Sequence, residues 1–80
     1  MGYNYLRNFL NPVDFHIDIY NKLIHITNYE KILTLLSNKI IIKTKNQKVT
    51  LEGKKFSLKK LADKELLILG ELSNLEMKYE

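Results

Sequence analysis

From Lys39 to Tyr79 the chain alternates apolar and polar residues in short runs, KIIIKTKNQKVTLEGKKFSLKKLADKELLILGELSNLEMKY. A period of two sends successive side chains to opposite faces of an extended strand, so each run predicts one strand with one buried face. Turn formers separate the runs at Lys45–Asn46–Gln47 and Ala62–Asp63–Lys64. Gly53 and Gly70 each close an apolar run, where a bend or bulge favours a residue without a Cβ. This pattern predicts a mainly β chain, a small antiparallel sheet or meander closed as a sandwich or an open barrel.

Within that stretch Ile40 and Ile42 share one face, and Val49 and Leu51 share one face on the way back. Phe56 and Leu58 alternate with lysine and serine, Leu66–Leu69 is apolar on both faces and is placed centrally, and Leu75, Met77 and Tyr79 form the last strand. A shift of 17 residues carries Val49, Leu51, Gly53 and Leu58 onto Leu66, Ile68, Gly70 and Leu75, a two-fold echo too short for a solenoid.

Upstream, Phe15, Ile17 and Ile19 alternate with His16 and Asp18, and Asn21–Lys22 reads as a tight turn into a return strand, Leu23–Thr27. This hairpin is expected to set His16 opposite His25. Ile32, Leu33, Leu35 and Leu36 have helical spacing while Ile32, Thr34 and Leu36 alternate, so period leaves residues 29–37 open between helix and strand. Residues 3–10, YNYLRNFL, predict a short helix that Pro12 stops. The expected organisation is thus an N-terminal helical arm over residues 1–12 and a single β domain over residues 13–80.

Eighty residues bury roughly 60–65% of their extended surface, so an oligomer is a reasonable expectation. With no cysteine, neither a disulfide nor a thiolate metal site is available. Two histidines without a third ligand predict no metal, and nothing in the sequence predicts a cofactor. No run approaches the about 20 apolar residues of a membrane helix, and no signal peptide opens the chain. The expected location is cytoplasmic, or peripheral to a membrane through a partner.

A net charge of +4 and a pI near 9.3 raise the question of nucleic acid. Arg7 is the single arginine, however, and the planar guanidinium fork is what nucleic-acid sites usually recruit. Lys43, Lys45, Lys48 and Lys55 form the candidate interaction face. Equally, lysines there protect strand edges from unwanted pairing. Tyr20, Tyr29, Phe56 and Tyr79 are the aromatics available for base stacking, three of them at positions in phase with the core. No serine, histidine or carboxylate has a visible catalytic partner, so the chain is not expected to be an enzyme.

The segments LIHITNYEKILTLLSNKIIIKT, VTLEGKKFSLKKL and ELLILGELSNLEMKY resemble the YabP/YqfC family of sporulation proteins. In that family an apolar strand is followed by a loop, a strand ending in glycine, an apolar pair, and a second glycine-ended strand before the last one. Gly53 and Gly70 match its two glycines, with Phe56, Leu58 and Leu61 between them. Asn28 matches its loop asparagine, and Leu10-Asn11-Pro12-Val13-Asp14 is similar to its Leu-Pro-x-Asp segment. The likeness spans about residues 10–79. It implies a protein of the mother-cell compartment in endospore formers, near sporulation membrane proteins, with no catalytic residues to assign. The expectation is a non-enzymatic β-domain that contacts such a protein at the forespore surface. The alternative is a small basic barrel that binds single-stranded nucleic acid.

Overall fold

The computed structural model describes residues 15–79, and these form six strands with no helix. β1 (His16–Tyr20), β2 (Leu23–Thr27), β3 (Lys31–Leu35) and β4 (Lys39–Lys43) are short, whereas β5 (Gln47–Ala62) and β6 (Glu65–Tyr79) are long. All pair antiparallel in one sheet of order β1-β2-β6-β5-β4-β3. The arm expected over residues 1–12, with its helix at 3–10, lies outside the described residues.

Hairpin chemistry fixes both two-residue turns. Asn21 opens the β1–β2 turn at φ 59°, in the left-handed region that asparagine tolerates. Asp63–Lys64 closes the β5–β6 hairpin with Lys64 at φ 59°. Asn28, at φ 63°, turns the chain out of β2, and its N–H donates to the Lys64 carbonyl at 2.8 Å. Two residues later the Glu30 N–H donates to the Lys43 carbonyl at 2.8 Å. Residues 28–30 therefore lead from the β5–β6 turn to the end of β4.

The β5–β6 hairpin does not run straight. Its register slips between Glu52 and Gly53, between Lys54 and Ser57, and between Leu58 and Lys60. At each slip one strand carries an extra residue: Ser73, one of the Lys55–Phe56 pair, and Lys59. Bulges bend a strand and sharpen its twist. Through them the first half of β6 (residues 65–69) and the second half of β5 form one half-sheet with β1 and β2. The first half of β5 and the second half of β6 form the other with β3 and β4.

The inner faces of these halves share one core. Ile24, Ile26, Leu66 and Ile68 come from the first half, and Ile40, Ile42 and Leu51 from the second; each is at most 1% exposed. A single flat sheet leaves such side chains in water, so the sheet must close over itself to seal them. Phe56 sits at the fold line. Its ring lies against both glycines: a Cβ on Gly53 would stand 2.8 Å from its Cζ, and one on Gly70 2.6 Å from its Cδ1. Neither glycine has a positive φ; the left-handed residue at the bend is Lys55, at 57°. The glycines are thus required for close approach between strands.

The structure departs from expectation at the long strands, the histidines and Leu69, and it resolves residues 29–37, which their period left open. β5 and β6 each run through their glycine as one continuous strand, where separate runs were expected. Residues 31–35 are a strand with a bulge at Leu33, because Ile32 pairs with Ile42 and Thr34 already pairs with Ile41. His16 and His25 are not opposite one another: His16 pairs with Thr27, and His25 with Asp18. Leu69 is 41% exposed despite the central position of β6, since it points to the outer face.

Candidate interaction surface

Three features stand out once the faces are assigned. The first is apolar. Residues directly opposite in an antiparallel pair share a face, so Leu75 and Met77, opposite Leu51 and Val49, lie on the inner side of the sheet. Leu58 and Leu61 lie there too, opposite Ile68 and Leu66. These four side chains, with Tyr79 beyond them, are in phase with the core but exposed: 37% for Leu75, 43% for Met77, 38% for Leu58, 58% for Leu61 and 82% for Tyr79. Among the described residues, no strand lies beyond the second half of β5 or the second half of β6. Besides its outer strands β1 and β3, the sheet therefore has two margins within β5 and β6, each with an apolar face and a backbone edge that no described residue covers.

The second feature is a row of charge. Lys31 pairs with Lys43, Lys43 with Lys48, and Lys48 with Lys78, so four lysines cross four adjacent strands in register. Like charges directly opposite each other destabilise a sheet. Glu30 offsets part of this repulsion from 4.0 Å at the Lys43 Nζ. Of the face predicted from sequence, Lys43 and Lys48 belong to this row and Lys45 lies on the adjoining turn. Lys55 stands apart, seven residues along β5 from Lys48 and thus on the order of 20 Å away. Lys31 and Lys78 are in the row but were missed, because only strand register reveals them. Thr44 shapes the turn: its N–H donates to the Gln47 carbonyl, and its hydroxyl accepts from the Gln47 N–H at 3.0 Å.

The third feature is a polar cluster on the outer face of the first half-sheet. His25 Nε2 donates to Glu65 Oε2 at 2.7 Å, and Lys60 Nζ lies 3.1 Å from Glu65 Oε1. Asp18 Oδ2 is 4.0 Å from His25 Nδ1. The bond from His25, and then those from Lys60, hold the Glu65 carboxyl below its ordinary range. No group of three or more potential metal ligands occurs among the described residues.

The predicted aromatics divide. Tyr29 and Phe56 are buried at 7% and 8% exposure, whereas Tyr20 and Tyr79 stand in solvent. Burial pushes the Tyr29 phenol upward, and the Asp63 carboxylate adds to the shift. A shallow, open cavity of about 540 Å³ lies where Phe15, Asn28, Thr44, Lys45 and Tyr79 meet. Asn28, matched to the loop asparagine in the sequence reading, thus lies on its wall as well as at the exit from β2. Among the described residues, no helix is long and apolar enough to cross a membrane. Comparison with protein-family models, with curated proteins and with solved structures finds no match to this chain.

Proposed function

We propose that this protein is a non-enzymatic interaction domain that captures another protein at an uncovered margin of its sheet. The observation that carries this reading is the margin formed by the second half of β5, where Leu58 and Leu61 are in phase with the core and exposed beside an unpaired backbone edge. An extended segment added there would gain main-chain hydrogen bonds and pockets for alternate side chains. The polar cluster around Glu65 lies open on the outer face, whereas acid–base chemistry uses shielded groups. The resemblance to sporulation proteins suggests the setting: the mother-cell side of the forespore membrane, with a sporulation membrane protein as partner.

A photo-crosslinking residue placed at Leu61 in sporulating cells tests this. The expected product is a defined adduct with a membrane protein, lost when Leu58→Asp is added. Adducts that persist unchanged with Leu58→Asp would reject the margin as the contact.

The four-lysine row favours a second reading, an anionic polymer such as single-stranded nucleic acid lying across β3, β4, β5 and β6. Neutralising about four phosphates predicts a slope of log K against log salt near −3 for a single strand. Lys48→Glu should flatten that slope. Absence of binding to a labelled oligonucleotide at low salt would end this reading.

A further inference from the structure

The two margins differ in a way that assigns them different occupants. The β5 margin carries Lys59 and Lys60, which two copies of that margin would bring together as like charges, so it is guarded against pairing with itself. The β6 margin, Asn74–Leu75–Glu76–Met77–Lys78–Tyr79, carries one acid and one base two residues apart. We infer that this β6 margin pairs antiparallel with the same margin of a second copy, about a two-fold axis at Met77. The inference rests on the reading of uncovered margins as contact surfaces and names the partner of one of them.

Register selects the axis. An axis at Met77 sets Met77 opposite Met77, Leu75 opposite Tyr79 and Glu76 opposite Lys78, each of the last two twice. The apolar pairs fall on the inner face, where Leu75 and Met77 already lie opposite Leu51 and Val49. The charged pairs fall on the outer face, where Lys78 ends the lysine row. The second copy's Glu76 thereby meets that row at its uncompensated end. An axis moved to residue 76 sets two glutamates face to face, and one moved to residue 78 sets two lysines face to face. An axis midway between residues opposes side chains from different faces and exposes the apolar set. Of the axes at residues 76, 77 and 78, the one at Met77 satisfies both charge and face. The product is one sheet of eight strands, four from each copy, continuous across the contact.

The paired segment, residues 75–79, is five residues long and buries well under the about 1,200 Å² of a standard interface, so a concentration-dependent dimer is expected. Sedimentation equilibrium of the full chain from about 10 μM to 1 mM should show monomer converting to dimer. Glu76→Lys places Lys opposite Lys78 twice and should weaken association at least tenfold; Lys78→Glu should do the same. The double exchange Glu76→Lys with Lys78→Glu restores opposite charges in this register and should recover dimer. A margin that bound some other protein would not be rescued in this way.

Met77→Cys supplies a second readout. Residues on the axis face each other at about 4.5–5.5 Å between Cα atoms, within disulfide reach. Two thiols should therefore close to a symmetric disulfide in glutathione disulfide, which is reduced to two glutathione thiols as the bond forms. Lys78→Cys, offset from its own copy, should cross-link far more slowly. A wild-type chain that stays monomeric to 1 mM, or a dimer indifferent to the charge exchange, overturns the proposal. Capture of a membrane protein at Leu61 would still stand in that case, because it uses the other margin.

Discussion

At the scale of single residues, Gly53 and Gly70 do the same task against different obstacles. A Cβ on Gly53 would meet the Glu71 carbonyl oxygen at 1.9 Å, a backbone atom that can yield only if the strands part. A Cβ on Gly70 would meet the Phe56 ring first, at 2.6 Å, with backbone atoms only at 3.0 and 3.1 Å. Overpacking of this kind costs roughly 1–3 kcal/mol, and Gly53→Ala should lie at the upper end. Shortening the ring with Phe56→Leu should reduce the cost of Gly70→Ala and leave that of Gly53→Ala intact. Urea denaturation of the two glycine variants, Phe56→Leu and the two double variants measures both differences, and equal rescue of the two would refute the distinction.

Glu65 makes a prediction about pH. Its hydrogen bond from His25 and its contact with Lys60 lower its folded pKa from an ordinary value near 4.5. A depressed acid stabilises the fold above the unfolded pKa, and that stabilisation fades as pH falls through the folded value. Wild type should therefore exceed Glu65→Gln in stability at pH 6, and the gap should narrow as pH falls below the ordinary carboxylate range. A gap that stayed constant from pH 6 to pH 3 would show that the carboxylate charge contributes nothing.

At the scale of elements, the bulges explain what could be read in advance and what could not. Strict alternation in Lys39–Lys43 and Val49–Leu51 survives in the structure, and Ile40, Ile42, Val49 and Leu51 are all fully buried. Where a bulge inserts one residue, the inward positions move from spacing two to spacing three. That is why Ile32 and Leu35, Leu58 and Leu61, and Leu72 and Leu75 fall three apart. Spacing three is also a helical spacing, so residues 29–37 read as helix and strand at once. Glycine misled in a related way, since it reads as punctuation but here lies inside both long strands. The turns at Asn21–Lys22 and Asp63–Lys64 were legible because their chemistry is local. The lysine row was half legible: Lys43, Lys45 and Lys48 are neighbours in sequence, but Lys31 and Lys78 join only through register.

The bulge at Lys55 is testable on its own terms. A residue with a Cβ at φ 57° costs roughly 1–2 kcal/mol, and glycine avoids that cost while losing more entropy on folding. Lys55→Gly should stabilise the domain by up to about 1 kcal/mol, whereas β-branched Lys55→Val should destabilise it. Thermal melts of the two variants should move in opposite directions, and any stabilisation by valine would contradict the left-handed assignment.

At the scale of the whole molecule, the sheet order is unchanged when read from either end, provided β1 exchanges with β3, β2 with β4 and β6 with β5. The 17-residue echo is the trace of this exchange in sequence: Val49 and Leu51 match Leu66 and Ile68 in burial, and Leu58 and Leu75 match in exposure at 38% and 37%. Ile24 and Ile26 likewise correspond to Ile40 and Ile42, all four at most 1% exposed. Such near-symmetry raises the question of whether the halves fold separately. Neither half can, because each seals the other's inner face and the two strands that join them run through both. Ile26→Ala in the first half and Ile42→Ala in the second should each cost about 2–5 kcal/mol, the usual range for a fully buried isoleucine. Each should also shift the whole transition. Far-ultraviolet circular dichroism and tyrosine fluorescence, the latter including Tyr29 at the core boundary, should trace coincident denaturation curves for wild type and both variants. If Ile26→Ala melted one half early and left a second transition at the wild-type midpoint, the halves would be independent units and the shared core would not be what holds this sheet closed.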